Sequence, residues 1–578
     1  MKKILTVILA IAMLFTFLYA ALISNAADES DFGFEEKIDG TLTIINYKGF
    51  DTDIEIPSKI GEKTVTNIGE GAFANNSSLT SIVIPDSVTS IGNNAFRSCY
   101  SLSNITIGSG VKSIGEGTFY YCSSLTDVNI PGSVASIGKD AFSCCKSLTS
   151  IQVSNDNENY SSIDGVLFNK DKTELICYPC LKQGDTYAIP DGVTGIGEFA
   201  FWGSSLKSVY IPENVTQIGL YAFKGCTGLL RILIPSGVHD IGNEAFAYCS
   251  SLTDVNIPDN VTSIGGGAFE YCTSLSSVTI GNGVKSIGEG AFSNCGALSN
   301  INISDSVTSI GYDAFFGTAY YNNDNNWEDG VLYIGNYLIK AKTYAISMSD
   351  TISGDCRIKE GTILIADRAF YQCSNLTSVM IPNSVTNIGD SAFYNCSSLT
   401  IVMIPNSVRS MGNYTFSNCT GLSSIMIGDS VTNIGDSAFS WCAGLTSVVI
   451  PKGVVSIGDT AFYACSNLTS VEIPENVTSI GSMAFAEDAT SMTIKGKSGS
   501  YAERYARENN YSFLELKNST SGNQISENLI NILKTVILIV VIVGVAALIA
   551  AMVLRKKRRE KNNLNINKQT RSDKSDEV

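Results

Sequence analysis

The sequence predicts a repeat solenoid, β-rich, with parallel strands and short helical turns, followed by one C-terminal transmembrane helix. Three observations carry that expectation. Sixteen phenylalanines recur in file: Phe73, Phe96, Phe119 and Phe142, then Phe201, Phe223, Phe246, Phe269, Phe292 and Phe315, then Phe370, Phe393, Phe416, Phe439, Phe462 and Phe485. Within each group the step is 23 residues, with a single step of 22. Around each Phe the apolar and turn-forming residues come in the same order, and near the end an uncharged run, 535–554, is followed at once by Arg555-Lys556-Lys557-Arg558-Arg559. A unit this short cannot bury its apolar face alone and must stack on its neighbours.

One unit, 79–99, shows how a coil is built. Its apolar set is Leu79, Ile82, Ile84, Val88, Ile91, Ala95, Phe96 and Cys99, interleaved with polar residues, Pro85 and Gly92. Alternation over 79–84 predicts a strand with Ile82 and Ile84 inward and Ser81 and Val83 outward. Pro85 stops it, Val88 and Ile91 continue the core through a second extended piece, and Gly92 permits a bend. Ala95 and Phe96 then sit on a short helical turn on the far side.

The pattern Ile-Gly-x-x-Ala-Phe-x-x-Cys-x-x-Leu-x-x-Val/Ile-x-Ile-Pro, as in 388–405 and 241–258, resembles the BspA-type leucine-rich repeats of bacterial surface proteins. The resemblance covers roughly residues 34–516. It implies a right-handed leucine-rich-repeat solenoid with parallel strands on one face, and a role in attachment to host matrix proteins such as fibronectin and fibrinogen, or to other cells.

The remaining segments follow from composition. Residues 1–26 read as a signal peptide, with Lys2 and Lys3, an apolar run and the small-residue stretch Ser24-Asn25-Ala26; the length of the run leaves a retained N-terminal anchor open. Residues 27–68 form an N-terminal β cap, with strands at 41–47 and 54–57. The repeats occupy 69–490, with interruptions at 149–188 and 318–362 that share the marker Asp164-Gly165-Val166-Leu167 and Asp329-Gly330-Val331-Leu332. Rich in Val, Ile, Tyr and Leu, they read as hairpin elaborations across which the solenoid continues. Residues 491–516 close the other end with a strand at 492–494, a helix at 501–508 and a strand at 512–516. A Ser/Asn-rich linker, 517–534, leads to the transmembrane helix 535–554, long enough for about 30 Å of bilayer. Basic residues stay cytoplasmic, so the tail 555–578 lies inside, the repeats lie outside, and the chain is a single-pass cell-membrane protein.

Charge and chemistry narrow the function. Setting aside the two lysines of residues 1–26 and the nine basic and four acidic residues of the tail leaves 28 basic and 51 acidic residues. So acidic a body repels nucleic acid and anionic lipid. Twelve of sixteen cysteines stand three residues after a repeat Phe, where packing favours free buried thiols and a cross-link to the neighbouring coil stays open. Cys177-Tyr178-Pro179-Cys180 has no second pair at ligand spacing, which favours a local structural role. His239 is the only histidine and takes an outward slot. The acidic residues at 156–158 and 324–329 read as solvated turns, with loose calcium binding at 324–329 left open although the EF-hand order of ligands is absent. No nucleophile pair, phosphate loop, metal set or cofactor motif emerges, and the chain is not expected to be an enzyme.

The outward position four residues after the repeat Leu carries the candidate partner-binding residues: Tyr210 and Leu233 in the second group, and Met380, Met403, Met426 and Val449 in the third. At one strand spacing per coil the last four make an apolar stripe of roughly 15 Å. It is either a contact surface for an extracellular protein or a same-face ladder that favours apolar neighbours. Ladders of Asn, Thr and Tyr keep a second function open, carbohydrate binding or cell-envelope scaffolding.

Overall fold

A computed structural model describes residues 28–343, 352–485 and 492–516. The segments read as signal peptide, linker, transmembrane helix and tail lie outside those residues. Among the described residues no helix is long and apolar enough to cross a membrane.

Each coil has three hydrogen-bonded sides. On the first, Ser81–Val83 is a strand that buries Ile82 and pairs in parallel with Asp53–Glu55 before it and Asn104–Thr106 after it, in the register Ile54, Ile82, Ile105. Pro85 offers no N–H to a ladder, and the chain turns. On the second side Ser90–Ile91 pairs in parallel with Asn67 and Ile68 and then with Ser113 and Ile114. Two parallel ladders therefore run along the molecule, where the resemblance implied strands on one face. The second is the more continuous, forming sheets of seven, nine and nine strands, against two to four in the first.

The glycine of each Ile-Gly pair explains that continuity. A Cβ on Gly92 would lie 2.7 Å from the backbone of Gly69 and Glu70 in the preceding coil, and one on Gly265 would lie 2.5 Å from the amide nitrogen of Asn243. Neither has a positive φ, so glycine is required by close approach of the coils and not by the bend itself.

The third side carries no helical turn. The N–H groups of Asn94, Phe96 and Ser98 donate to Glu116, Thr118 and Tyr120 of the next coil at 2.8–2.9 Å, while those of Ala95, Arg97 and Cys99 bond back to Gly92, Asn94 and Phe96 at 3.0–3.3 Å. A helix directs every N–H along its own segment. Here alternate groups cross to the neighbour, and the chain visits left-handed backbone at Asn94 (φ 55°) and Ser98 (φ 59°) to make that possible. Between these positions the Phe rings point inward and stack, with centroids 5.1 Å apart at Phe246–Phe269 and 5.3 Å at Phe269–Phe292, within 5° of parallel.

The interior is divided into three apolar cores, and the interruptions are the walls between them. Tyr160–Ile163 and Val166–Asn169 form an antiparallel hairpin, and the second of these strands pairs with Glu174–Cys177, which rejoins the ladder. Along that wall side chains alternate: Leu167 packs into the first core and Val166 and Phe168 into the second. The other interruption repeats the device, with Leu332 and Ile334 facing the second core and Val331 and Tyr333 the third. Tyr178 occupies the repeat-Phe slot at the start of the second block, stacked on Phe201 at 5.1 Å.

The ends are closed by other means. Phe32–Glu36 lies antiparallel on Leu42–Tyr47, covering its edge, while residues 42–68 already belong to the parallel ladders. At the far end helix Tyr501–Glu508 buries Ala502, Tyr505 and Ala506. Ser500 caps it by accepting from the Glu503 N–H, and the Glu503 carboxylate accepts the N–H of Gly499 just before the cap, so both side chains satisfy backbone donors at the helix start. The strand Ser512–Glu515 then pairs in parallel with Thr493–Gly496.

If close approach is what requires glycine, Gly265→Ala lowers the denaturation midpoint by the equivalent of about 1–3 kcal/mol, the range for overpacking. Gly296→Ala, where a Cβ meets nothing within 4 Å, leaves it unchanged. Both are read by circular dichroism in denaturant.

Candidate binding surfaces

With inward positions committed to the core, the chemistry available to a partner lies in the outward columns and at the block junctions. The cysteine ladder is inward. Eleven of its thiols donate to the carbonyl of the Phe in the preceding coil, as Cys272 does to Phe246 and Cys419 to Phe393, both at 3.1 Å. Burial pushes the Cys99, Cys373 and Cys465 thiols up to about 12, which removes the reactive thiolate at neutral pH. Where other residues fill this slot they also serve the turn: the Asn76 carboxamide accepts from the Leu79 N–H, and Thr318 donates to the Phe315 carbonyl. Cys177 and Cys180 are raised by burial as well, and Cys180 donates to the Trp202 carbonyl. His239 is exposed, and its carbonyl accepts from Thr262 of the next coil.

The six candidate contact residues do not form one patch. Met403 and Met426 are direct register partners, and Met380, in the neighbouring strand of the same four-stranded sheet, pairs on its other side with Arg357. Met380 is 38% exposed, and Ile401 lies alongside. Val449, 60% exposed, belongs to the following sheet, where its register partner is Glu472 and the next is Lys495. Tyr210 and Leu233, 55% and 64% exposed, stand in the second block. Between the two groups the same column reads Asn256, Thr279, Asn302 in register, so a polar stretch separates two apolar ones.

Acidic side chains in the third block form a ladder of their own. The Oδ1 of Asp367, Asp390, Asn413, Asp436 and Asp459 each accepts the N–H of the equivalent residue one coil on, at 2.7–2.8 Å. These carboxylates are bound to backbone. No group of three or more metal-ligating side chains is placed to hold an ion among the described residues.

Two features were not visible in the repeat pattern. One is a row of aromatic rings on the third side: Phe199 stacks on Trp202 at 5.2 Å and on Tyr221 at 4.8 Å, and Tyr248 on Tyr271 at 4.9 Å, with the Lys224 ammonium over Tyr221 at 4.8 Å. Phe199, Tyr221, Tyr248 and Tyr271 all have φ near 60°, where other coils carry Gly71, Asn94, Gly267 or Asn294 in the same slots. A left-handed backbone costs an L-residue roughly 1–2 kcal/mol, so the rings are kept against local preference. The other feature is a cleft of about 470 Å³ at the first junction, between Ile137–Phe142 on one wall and Glu174–Cys177 and Glu198–Phe199 on the other. Lys139 and Glu198 bridge its mouth at 2.9 Å. Asp140, half-buried there, has an Oδ1 without a partner, and burial, aided by Glu116, raises its carboxyl to about 6. The signal for both was departure from the repeat: aromatics where turns want Gly or Asn, and an acid at the last coil before an interruption.

Coils of this shape, with the Leu and Ile of two ladders packed on a file of Phe, define a leucine-rich-repeat solenoid. The BspA type leucine rich repeat region matches residues 43–173, 194–322, 363–493 and 432–534, well over half of the sequence, and the chain belongs to that family. Among solved structures it is similar to a leucine-rich repeat protein from Eubacterium ventriosum, at 25% identity over 52% of this chain and 96% of the other, with a TM-score of 0.39. A leucine rich cell surface protein from Faecalibacterium prausnitzii is 28% identical over 83% and 97%, with a TM-score of 0.26. A leucine-rich repeat protein from Bacteroides ovatus is 23% identical over 85% and 99%, with a TM-score of 0.27. No curated protein matches the sequence.

Two outcomes follow. Alkylation of the native protein at neutral pH leaves the twelve ladder thiols unlabelled, and unfolding without reductant exposes all of them to label, as mass spectrometry of peptides reports; thiols that stay blocked after unfolding would show cross-links. For Asp140, a carboxyl raised above its ordinary 3.8 means that the folded state holds the proton more tightly. Its contribution to stability is complete below pH 3.8 and is lost as pH rises through about 6. Asp140→Asn therefore raises the melting temperature above pH 6 and leaves it unchanged in acid.

Proposed function

We propose that this chain is a cell-surface binding protein that holds its solenoid outside the cell and engages an extracellular protein, with matrix proteins such as fibronectin and fibrinogen as the first candidates. The observation that carries the reading is the column Met380, Met403, Met426: three flexible thioethers on one outward face, in one sheet. Flexible, polarizable side chains adapt to varied partner surfaces, and Arg357, the register partner of Met380, with Glu472 beyond Val449, supplies a charged rim of the kind that sets orientation. Membership of the BspA-type family supports a surface role, and the structural relative from Faecalibacterium prausnitzii is itself described as a cell surface protein. The apolar run 535–554 and the basic run after it support a single membrane pass with the repeats outside. The proposal assigns the chain no reaction.

The test is binding of the full-length chain to immobilised fibronectin and fibrinogen. Replacing Met380, Met403 and Met426 together by Ser lowers affinity by roughly tenfold or more, as expected when about 1.4 kcal/mol of contact is lost, with the melting curve unchanged. Equal binding by the variant sinks the assignment to this column.

A further inference from the structure

The two block junctions are built alike, and their differences point to a ligand. In both, the last coil before the wall ends in an acid two residues before its Phe, Asp140 at the first junction and Asp313 at the second, and in both the N–H of that Phe finds no carbonyl in a following coil, unlike those of the coils before it. At the second junction the chain fills the gap with its own cations. Lys340 lies 3.7 Å from Asp313, and the Arg368 guanidinium sits over the Tyr312 ring at 3.8 Å and over Tyr371 at 5.5 Å. The backbone is joined there too, by the Asp367 N–H to the Ile310 carbonyl at 3.0 Å.

At the first junction each of those groups has been exchanged. The slot of Lys340 holds Cys177, that of Arg368 holds Phe199, and that of Asp367 holds Glu198. No backbone bond joins the Glu198 N–H to the Ile137 carbonyl; the Ile137 N–H is held by the Tyr160 hydroxyl at 2.8 Å. Ile137 is half-exposed, while its counterparts Ile91, Ile114, Ile310 and Ile388 are buried. What remains is the open cleft, with a strand edge along one wall, Ile137, Phe142 and Phe199 as its apolar lining, and Asp140, Glu174 and Glu198 against one cation, Lys139.

We propose that this cleft binds an extended peptide segment of a partner protein that carries a lysine or arginine. The segment runs beside Ser136–Ile137, the last strand of its sheet, where the Ile137 carbonyl has no backbone partner in a following coil, as in recognition by strand addition. Its cation meets Asp140 and the face of Phe199, in the arrangement that Lys340, Arg368, Asp313 and Tyr312 already make within the chain. The excess of carboxylates repels acidic segments and acidic glycans. The site lies in a different block from the methionine column and is independent of it.

The experiment uses the full-length chain and a short, end-blocked peptide of alternating Thr and Val with one central Arg, titrated by calorimetry beside the same peptide with Gln or Glu at the centre. The Arg peptide binds, the Gln peptide binds roughly tenfold more weakly, the loss of one charge-assisted contact, and the Glu peptide does not bind. Asp140→Asn weakens the Arg peptide by a similar factor. Phe199→Arg copies the second junction, where Arg368 holds the same left-handed backbone (φ 53° against 60° at Phe199), and closes the site while leaving the chain folded. Binding of all three peptides alike, or undiminished binding of the Arg peptide by either variant, overturns the proposal. So does failure to bind any of the peptides, and so does a preference for a neutral oligosaccharide offered in competition.

Discussion

Every coil must sit one strand spacing above the last, close enough that backbone groups on three sides find partners in the neighbouring coil. This single distance governs the molecule. It sets the Phe centroids about 5 Å apart, excludes a Cβ at the Ile-Gly glycines, and selects side chains such as Cys and Thr that reach a carbonyl without widening the gap. A repeat held this way draws its stability from nearest neighbours. Inward positions are consequently almost fixed, and variation that matters to a partner is confined to outward columns and to places where the repeat stops.

The same constraint decides what could be read in advance. The 23-residue step, the inward Leu, Ile and Phe, the interruptions and the terminal helix are all stated by apolar spacing, which burial enforces directly. The third side departs from the expected helical turn because Ala-Phe flanked by polar residues suits either conformation. Spacing along one coil does not reveal that alternate N–H groups leave for the next. The second ladder has the look of a mere extended piece in one coil, since two residues such as Ser and Ile are too few to announce a strand until six such pairs align in a sheet. Of the candidate contact residues, Met403 and Met426 are partners, Met380 shares their sheet and Val449 stands on the next coil beyond a break in the strand ladder, while Tyr210 and Leu233 lie apart because a polar column intervenes. The cleft and the aromatic row depend on which residues face each other across an interruption, a relation that sequence distance hides.

The interruptions do more than lengthen the chain. A strand that is buried on both faces, with Leu167 in one core and Val166 and Phe168 in the next, behaves as a partition. Three smaller cores replace one continuous interior, while backbone bonds such as Ile151 N–H to the Gly165 carbonyl keep the blocks attached. In a solenoid whose cooperativity passes from coil to coil, partitions of this kind are where coupling is weakest and where local opening costs least.

Weak coupling at a junction is tolerable only if the exposed ends of the two blocks are satisfied by something. The second junction meets that need internally, through Lys340, Arg368 and the half-buried Asp367, whose N–H bonds the Ile310 carbonyl, and so behaves as a sealed joint. The first has a hairpin wall of the same kind without counterparts of Lys340 and Arg368, and places Phe199 and Tyr221 in left-handed backbone beside it, in slots that Gly71, Asn94 and Gly267 fill in other coils. Strain and an unpartnered carboxyl in one place both cost stability, and folded chains keep such arrangements chiefly where something other than folding is served. Two junctions of like construction thus divide the work: the sealed one joins its blocks, and the open one leaves a charged cleft beside a strand edge.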